Sequence, residues 1–354
     1  MTSGPDLIQQ LIASAGARSA SDLAFEPDDA GNLVAMARID GVRSALGVIP
    51  AVAAASAIAR LKALASLPAY VTDEAQDGRL DGTSFGITGD LRMAVLPTIR
   101  GQRLALRLPS LGALPAPDEL GLDAQVVAAL RAQLRQPQGL VIVTGPTGSG
   151  KTTTVHSLLA ELAIQRADRQ ILTIEDPVER RLAGITQVAA DLRRGFGFAA
   201  ALSASLRHDP DVIVVGEVRD RETAAACVRA ALTGHLVVTT VHAGRAAEVV
   251  PRLVEMGVEP EQLLPALSAV LAQRLVRQVH EACRGTGCAH CTAGFRGRRP
   301  VTDLLLVDTT ARGELRAGRT PLLAADLDRQ AAALVAARVT TPAEVLRVVG
   351  RVAA

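Results

Sequence analysis

The chain has 354 residues, 49% hydrophobic and 21% charged, with a formal net charge of +2. That length allows two domains with substantial cores, and the near-neutral balance excludes a global basic field for nucleic acid. With aromatic content at 2%, no Trp and Tyr70 the only tyrosine, a stacking groove for single strands is also excluded.

Residues 1–6 carry neither a basic n-region nor an apolar h-region, so no secretory signal is read there. The segment 44–59 is Ala-rich, interrupted by Pro50, and too short to span a bilayer. Three of the four cysteines cluster at metal-like spacing and Cys227 stands alone in an apolar helical pattern, where a buried thiol is expected. These features predict a cytoplasmic protein without a transmembrane segment.

Residues 1–108 mix short alternating segments, such as Leu33–Ile39 and 91–95, with an Ala-rich helix over 52–67, which predicts a small α+β domain. The Pro/Gly/Ala segment 109–118 reads as a linker. Past it, 123–134 is an amphipathic helix, and 119–299 forms a second domain. Its four apolar runs, at 140–143, 171–174, Val212–Val215 and 236–240, alternate with helical patterns and predict a mostly parallel α/β sheet. Residues 300–354 read as a terminal helical region.

Each strand is followed by polar residues suited to chemistry. The first leads into Gly145-Pro146-Thr147-Gly148-Ser149-Gly150-Lys151-Thr152-Thr153, which fits the phosphate-loop pattern G-x-x-x-x-G-K-[ST] between strand and helix. Glycines let backbone N–H groups face phosphate oxygens, the helix N-terminus adds its positive end, Lys151 reaches the β/γ-phosphates and Thr152 ligates Mg²⁺. The next runs end in Glu175, a base or water-orienting group, in Glu217, a Mg²⁺-holding carboxylate, and in His242. Ligands of open α/β sheets bind at the carboxyl ends of strands, so four segments aim at one edge.

The wording of these segments resembles the secretion and pilus-assembly ATPases. After the phosphate loop come Ile174-Glu175-Asp176-Pro177-Val178-Glu179, then 206–220 ending Val215-Gly216-Glu217-Val218-Arg219-Asp220, then 233–242 ending Thr239-Thr240-Val241-His242. The resemblance implies a RecA-like motor domain behind a smaller PAS-like N-terminal domain. It makes Glu175, Asp176 and Glu179 the aspartate box, Glu217 the Walker B glutamate and His242 part of the histidine box. Arg92 and Arg107 match the arginines that swing from the N-terminal domain over the nucleotide. It also implies ATP and Mg²⁺ as cofactors and a homo-hexamer peripheral to the inner membrane. That hexamer would engage a polytopic platform protein and drive assembly of a type IV pilus or type II secretion pseudopilus. A competence or retraction motor, or a non-hydrolysing ring subunit, remains the alternative.

His280, Cys283, Cys288 and Cys291 form H-x₂-C-x₄-C-x₂-C, a four-ligand set for Zn²⁺. By resemblance this is a shortened form of a C-x₂-C pair, and a vestigial thiol cluster is the other reading. The chain departs from the family at Ala24, Ala200 and Ser203, and at Gly244, where an asparagine is usual. Many members also carry a further N-terminal docking domain, so recruitment is expected to use other surfaces.

Overall fold

The structure, a computed structural model, describes residues 3–109 and 112–351; Ser110 and Leu111 of the expected linker lie outside the described residues. The chain divides into two compact units, Met1–Ala113 with His280–Arg296, and Leu114–Val279 with Gly297–Ala354.

In the first unit, β1 (Asp22–Pro27), β2 (Leu33–Ile39), β3 (Val42–Ile49), β4 (Gln76–Asp81), β5 (Asp90–Thr98) and β6 (Gly101–Arg107) form one sheet in the order β3-β2-β1-β6-β5-β4. Neighbours pair antiparallel throughout. The alternation of β5 buries Leu91, Met93 and Val95 and leaves Arg92 on the other face, as a two-residue period requires. The buried face is covered by α1 (Gly4–Ala17), through Ile8 and Ile12, and α2 (Ala51–Leu64), through Ala57 and Leu61. A capping box between Ser3 and Asp6 starts α1.

The second unit contains β7 (Gly139–Thr144), β8 (Ile171–Glu175), β9 (Thr186–Ala189), β10 (Val212–Val215), β11 (Leu236–Val241), β12 (Leu267–Val279) and, from Gly297 onward, β13 (Phe295–Leu306), ordered β13-β12-β7-β11-β10-β8-β9. From β12 through β9 each neighbouring pair is parallel. Its connecting helices are α3 (Ala124–Leu134), α4 (Lys151–Gln165), α5 (Phe198–Ser205), α6 (Arg221–Leu232), α7 (Val249–Glu255) and α8 (Pro260–Ala266). Both sheet faces are covered, which is why the strands read as continuous apolar runs. Leu140, Ile142, Ile213 and Val215 pack with α5 and α6 on one side. Val141, Val143, Val212 and Val214 pack with α3 and α4 on the other.

Four strands match the expected runs; β9, β12 and β13 are additional. β13 continues to Leu306, past the point where a helical region was expected, and only then follow α9 (Thr309–Arg316), α10 (Leu327–Ala336) and α11 (Pro342–Val349). Val276 and Val301 of the strands share a small core with Leu327, Ala331 and Val345, so α10 and α11 pack on the β12 and β13 edge, whereas Ala311 of α9 joins the core of α5 and α6. The sequence order placed 280–291 in the second domain, whereas His280–Arg296 groups with the first unit. Within that unit Arg18 Nη2 donates to Thr292 Oγ1 at 3.1 Å.

Candidate functional site

The parallel strands β7, β11, β10 and β8 lie side by side, so their carboxyl ends bring the phosphate loop, His242, Glu217 and Glu175 to one edge in that order. Threonine hydroxyls pin the ends together. Thr144 Oγ1 donates to Val241 O at 2.7 Å and accepts from Ala243 N at 2.8 Å, and Thr240 Oγ1 donates to Gly216 O at 2.7 Å.

The loop from Gly145 to Gly150 is shaped for an anion. Gly145 (φ +144°) and Gly150 (φ +88°) occupy backbone regions that favour glycine. A Cβ at Gly145 would stand 2.4 Å from Gln273 O, and one at Gly150 2.8 Å from Gln273 Nε2. Thr147 and Gly148 are exposed at the tip, and Thr152 and Thr153 are exposed on the first turn of α4. Lys151 Nζ folds over the loop and donates to Gly145 O at 2.8 Å and Pro146 O at 3.0 Å. Burial holds its ammonium below the ordinary lysine range, opposed by Glu217 and reinforced by Arg274. Ser149 Oγ is buried without a hydrogen-bond partner among the described residues. An unsatisfied hydroxyl beside a lysine resting on loop carbonyls fits the occupancy of this cradle by phosphate oxygens.

Glu217 stands just beyond β10, half-buried, with Oε2 2.7 Å from Arg219 Nε and 3.8 Å from His242 Nε2. Glu175, at the last position of β8, is 7% exposed. Its carboxylate accepts from Thr173 Oγ1 at 2.6 Å and Gln187 Nε2 at 3.0 Å, and lies 3.4 Å from His156 Nε2. Burial would push this carboxyl up; hydrogen bonds from His156, Thr173 and Gln187 outweigh that and hold it below its ordinary value. A carboxylate held ionised is a weak base but a good orienting acceptor. His235, at the opposite end of β11, packs with Nδ1 3.1 Å from Ala230 O. Cys227 is buried and its thiol is pushed up to about 12 by desolvation, an inert core position.

Three residues of the site carry no motif signal. Gln273 Nε2 donates to Ser149 O at 2.7 Å and its Oε1 accepts from Thr154 Oγ1 at 2.9 Å, bracing the loop against α4. Arg274 Nη2 donates to Gly244 O at 2.7 Å, joining β12 to the loop after His242. His156 is the third.

In the first unit Arg92 and Arg107 are register partners across β5 and β6. Both are exposed, and Arg107 Nε lies 3.3 Å from Asp22 Oδ1. With Arg38, Arg43 and Arg103 they line a cleft of about 490 Å³, which Ala24 also lines. In the same unit the ligand atoms of His280, Cys283, Cys288 and Cys291 all lie within 4.8 Å of one another. Tetrahedral zinc with Zn–S of about 2.3 Å requires S···S edges of about 3.8 Å. The sulfurs of Cys283 and Cys288 lie 3.8 and 3.7 Å from that of Cys291, and Cys288 Sγ lies 3.3 Å from His280 Nδ1. Burial would raise the Cys283 thiol, but contacts with His280, the Gly287 and Gly285 backbone and Cys291 bring it down to about 6. The donor set fits zinc.

A phosphate loop flanked by strand-end carboxylates on a doubly covered parallel sheet defines a RecA-like nucleotide hydrolase. The sequence pattern described as type II/IV secretion system protein matches residues 3–347. The chain is 40% identical over 324 residues to type II secretion system protein HxcR of Pseudomonas aeruginosa, covering 88% of this chain and 68% of that protein. It is 37% identical over 342 residues to the type IV pilus assembly ATPase PilB of Thermus thermophilus, covering 88% of this chain and 38% of PilB. The pilus retraction motor PilT with bound ADP superposes with a TM-score of 0.60 at 27% identity, over 96% of this chain and 92% of that one. The Legionella pneumophila ATPase DotB shares the fold with a TM-score of 0.71 at 21% identity, over 96% of this chain and 94% of that one. The chain belongs to the type II/IV secretion system protein family and is a secretion or pilus-assembly ATPase. Among the described residues no helix is long and apolar enough to cross a membrane.

Proposed function

We propose that the protein is a hexameric, Mg²⁺-dependent motor at the cytoplasmic face of the inner membrane. There it would engage a polytopic platform protein and power assembly of a type IV pilus or type II secretion pseudopilus. One observation carries the catalytic reading: the phosphate loop, His242, Glu217 and Glu175 occupy adjacent ends of parallel strands.

Gly145 to Thr153 hold the triphosphate, with Lys151 leaving its loop carbonyls for phosphate oxygens. Thr152 and Glu217 would hold Mg²⁺, which when bound would supply positive charge to neutralise the phosphates. Glu175 orients the attacking water, and its depressed protonation favours that role over proton abstraction. His242, 3.8 Å from Glu217, reports the state of the terminal phosphate to the sheet edge. Arg92 and Arg107 supply positive charge to the transition state, and the 280–291 cluster binds zinc as a structural centre.

The test separates grip from turnover. Lys151→Ala lowers nucleotide affinity and turnover together, whereas Glu217→Gln spares most of the affinity and abolishes turnover. ATPase rates near wild type in either variant refute the assignment.

A further inference from the structure

His156 is buried on the core side of α4, 5% exposed, beside Val155, Leu158 and Leu159. An imidazole in such a place needs a hydrogen-bond partner, because desolvating it unpaired is costly. Its Nε2 faces Glu175 Oε2 at 3.4 Å. The two oxygens of Glu175 are unequally used: Oε1 accepts from both Thr173 and Gln187, whereas His156 is the described partner of Oε2. A carboxylate oxygen accepts about two hydrogen bonds, so Oε1 is saturated and Oε2 retains one acceptor site. α4 is also the helix that begins at Lys151. The His156 to Glu175 contact therefore ties the helix that grips phosphate to the strand that carries the water-orienting carboxylate.

We propose that His156 is a positioning residue for hydrolysis. Its Nε2–H holds Oε2 of Glu175 so that the remaining acceptor site receives the O–H of the attacking water. The 3.4 Å separation is long for a hydrogen bond, as catalytic contacts often are before substrate tightens them. This inference rests on the reading of Glu175 as the water-orienting group.

The experiment is a double-mutant cycle on the full chain, reading kcat, KM and nucleotide Kd. His156→Met removes the donor while filling the core, and His156→Phe replaces it if the Met variant does not fold. His156→Gln keeps an N–H near the place of Nε2. The expected result is a fall in kcat of about 10-fold or more in the Met variant, in the coupling range of contacting residues. Nucleotide Kd stays within about 2-fold, a shift too small for lost phosphate contacts. The Gln variant recovers most of the turnover, and His156→Met adds nothing in a Glu175→Gln background. Wild-type turnover in the Met or Phe variant, with Glu175→Gln slowed to a low but measurable rate, overturns the role of His156 alone. Equal losses in the Met and Gln variants, or additive losses with Glu175→Gln, also overturn it. Full activity of Glu175→Gln overturns instead the reading of Glu175.

Discussion

Removing His280 from the cysteine cluster asks whether 280–291 is a metal centre or a leftover thiol loop. The sulfur separations of 3.7 and 3.8 Å match the edge of about 3.8 Å that a tetrahedron with Zn–S bonds of about 2.3 Å demands. The His280 Nδ1 contact at 3.3 Å closes the fourth corner, where a shorter Zn–N bond of about 2.0 Å draws the nitrogen in. Protein purified without added metal should contain about one zinc per chain by elemental analysis. His280→Ala leaves three ligands, and its zinc affinity, read by competition with a chromophoric chelator, should fall by more than the roughly 10- to 100-fold typical of losing an outer-shell partner. His280→Cys keeps four donors and should retain the metal. A protein metal-free as isolated, yet fully folded and active, would refute the geometric argument and leave the cluster vestigial.

Two further outcomes follow from the charges. Arg92→Ala and Arg107→Ala should lower kcat more than nucleotide affinity, because a guanidinium that meets developing charge contributes mainly to rate; equal turnover in wild type and both variants, compared in the same oligomeric state, would leave the first unit as a docking module. Glu344 of α11 is buried and accepts from Arg277 Nη2 at 2.8 Å and Arg347 Nη2 at 2.6 Å. Burial would raise its carboxyl, but Arg347 and Arg277 outweigh that and depress it from an ordinary 4.5 to about 2. Because the folded value is the lower one, the stabilisation is present above about pH 4.5 and is lost as pH falls toward 2. The whole effect is about 3 kcal/mol at 1.36 kcal/mol per pKa unit. Urea denaturation from pH 6 to 3 should show a smaller acid loss in Glu344→Gln than in wild type; identical slopes would sink this account.

The parallel core was legible because strands buried on both faces write themselves as unbroken apolar runs, and β7, β8, β10 and β11 each do so. The phosphate loop was legible because its geometry needs glycine at Gly145 and Gly150 and a lysine directly after. β13 was not, since its only unbroken apolar stretch, Leu304-Leu305-Leu306, is too short for periodicity to separate a strand from a buried helix turn. Gln273 and Arg274 escaped for a different reason: their strand β12 is set beside β7 by tertiary pairing, and only that pairing brings two polar side chains to the loop. His156 reads as a core position of α4 until β8 is placed against it. The grouping of 280–296 with the first unit depends on partners such as Arg18 and Thr292, which are far apart in the chain.

At Gly244, where the sequence departs from the family's usual asparagine, both the backbone N–H and the missing Cβ have a local consequence. In the structure the Gly244 N–H donates to Glu248 Oε2 at 2.6 Å, and a Cβ there would come within 2.5 Å of that same oxygen. A larger side chain would therefore have to displace Glu248. The next residue anchors the loop: Arg245 Nε donates to Asp303 Oδ2 at 2.6 Å and Nη1 to Asp328 Oδ2 at 3.0 Å. Asp303 is 1% exposed and also accepts from Leu327 N at 2.8 Å, so an unpaired carboxylate there would be costly. Arg245 thereby ties the segment after His242 to β13 and to the start of α10.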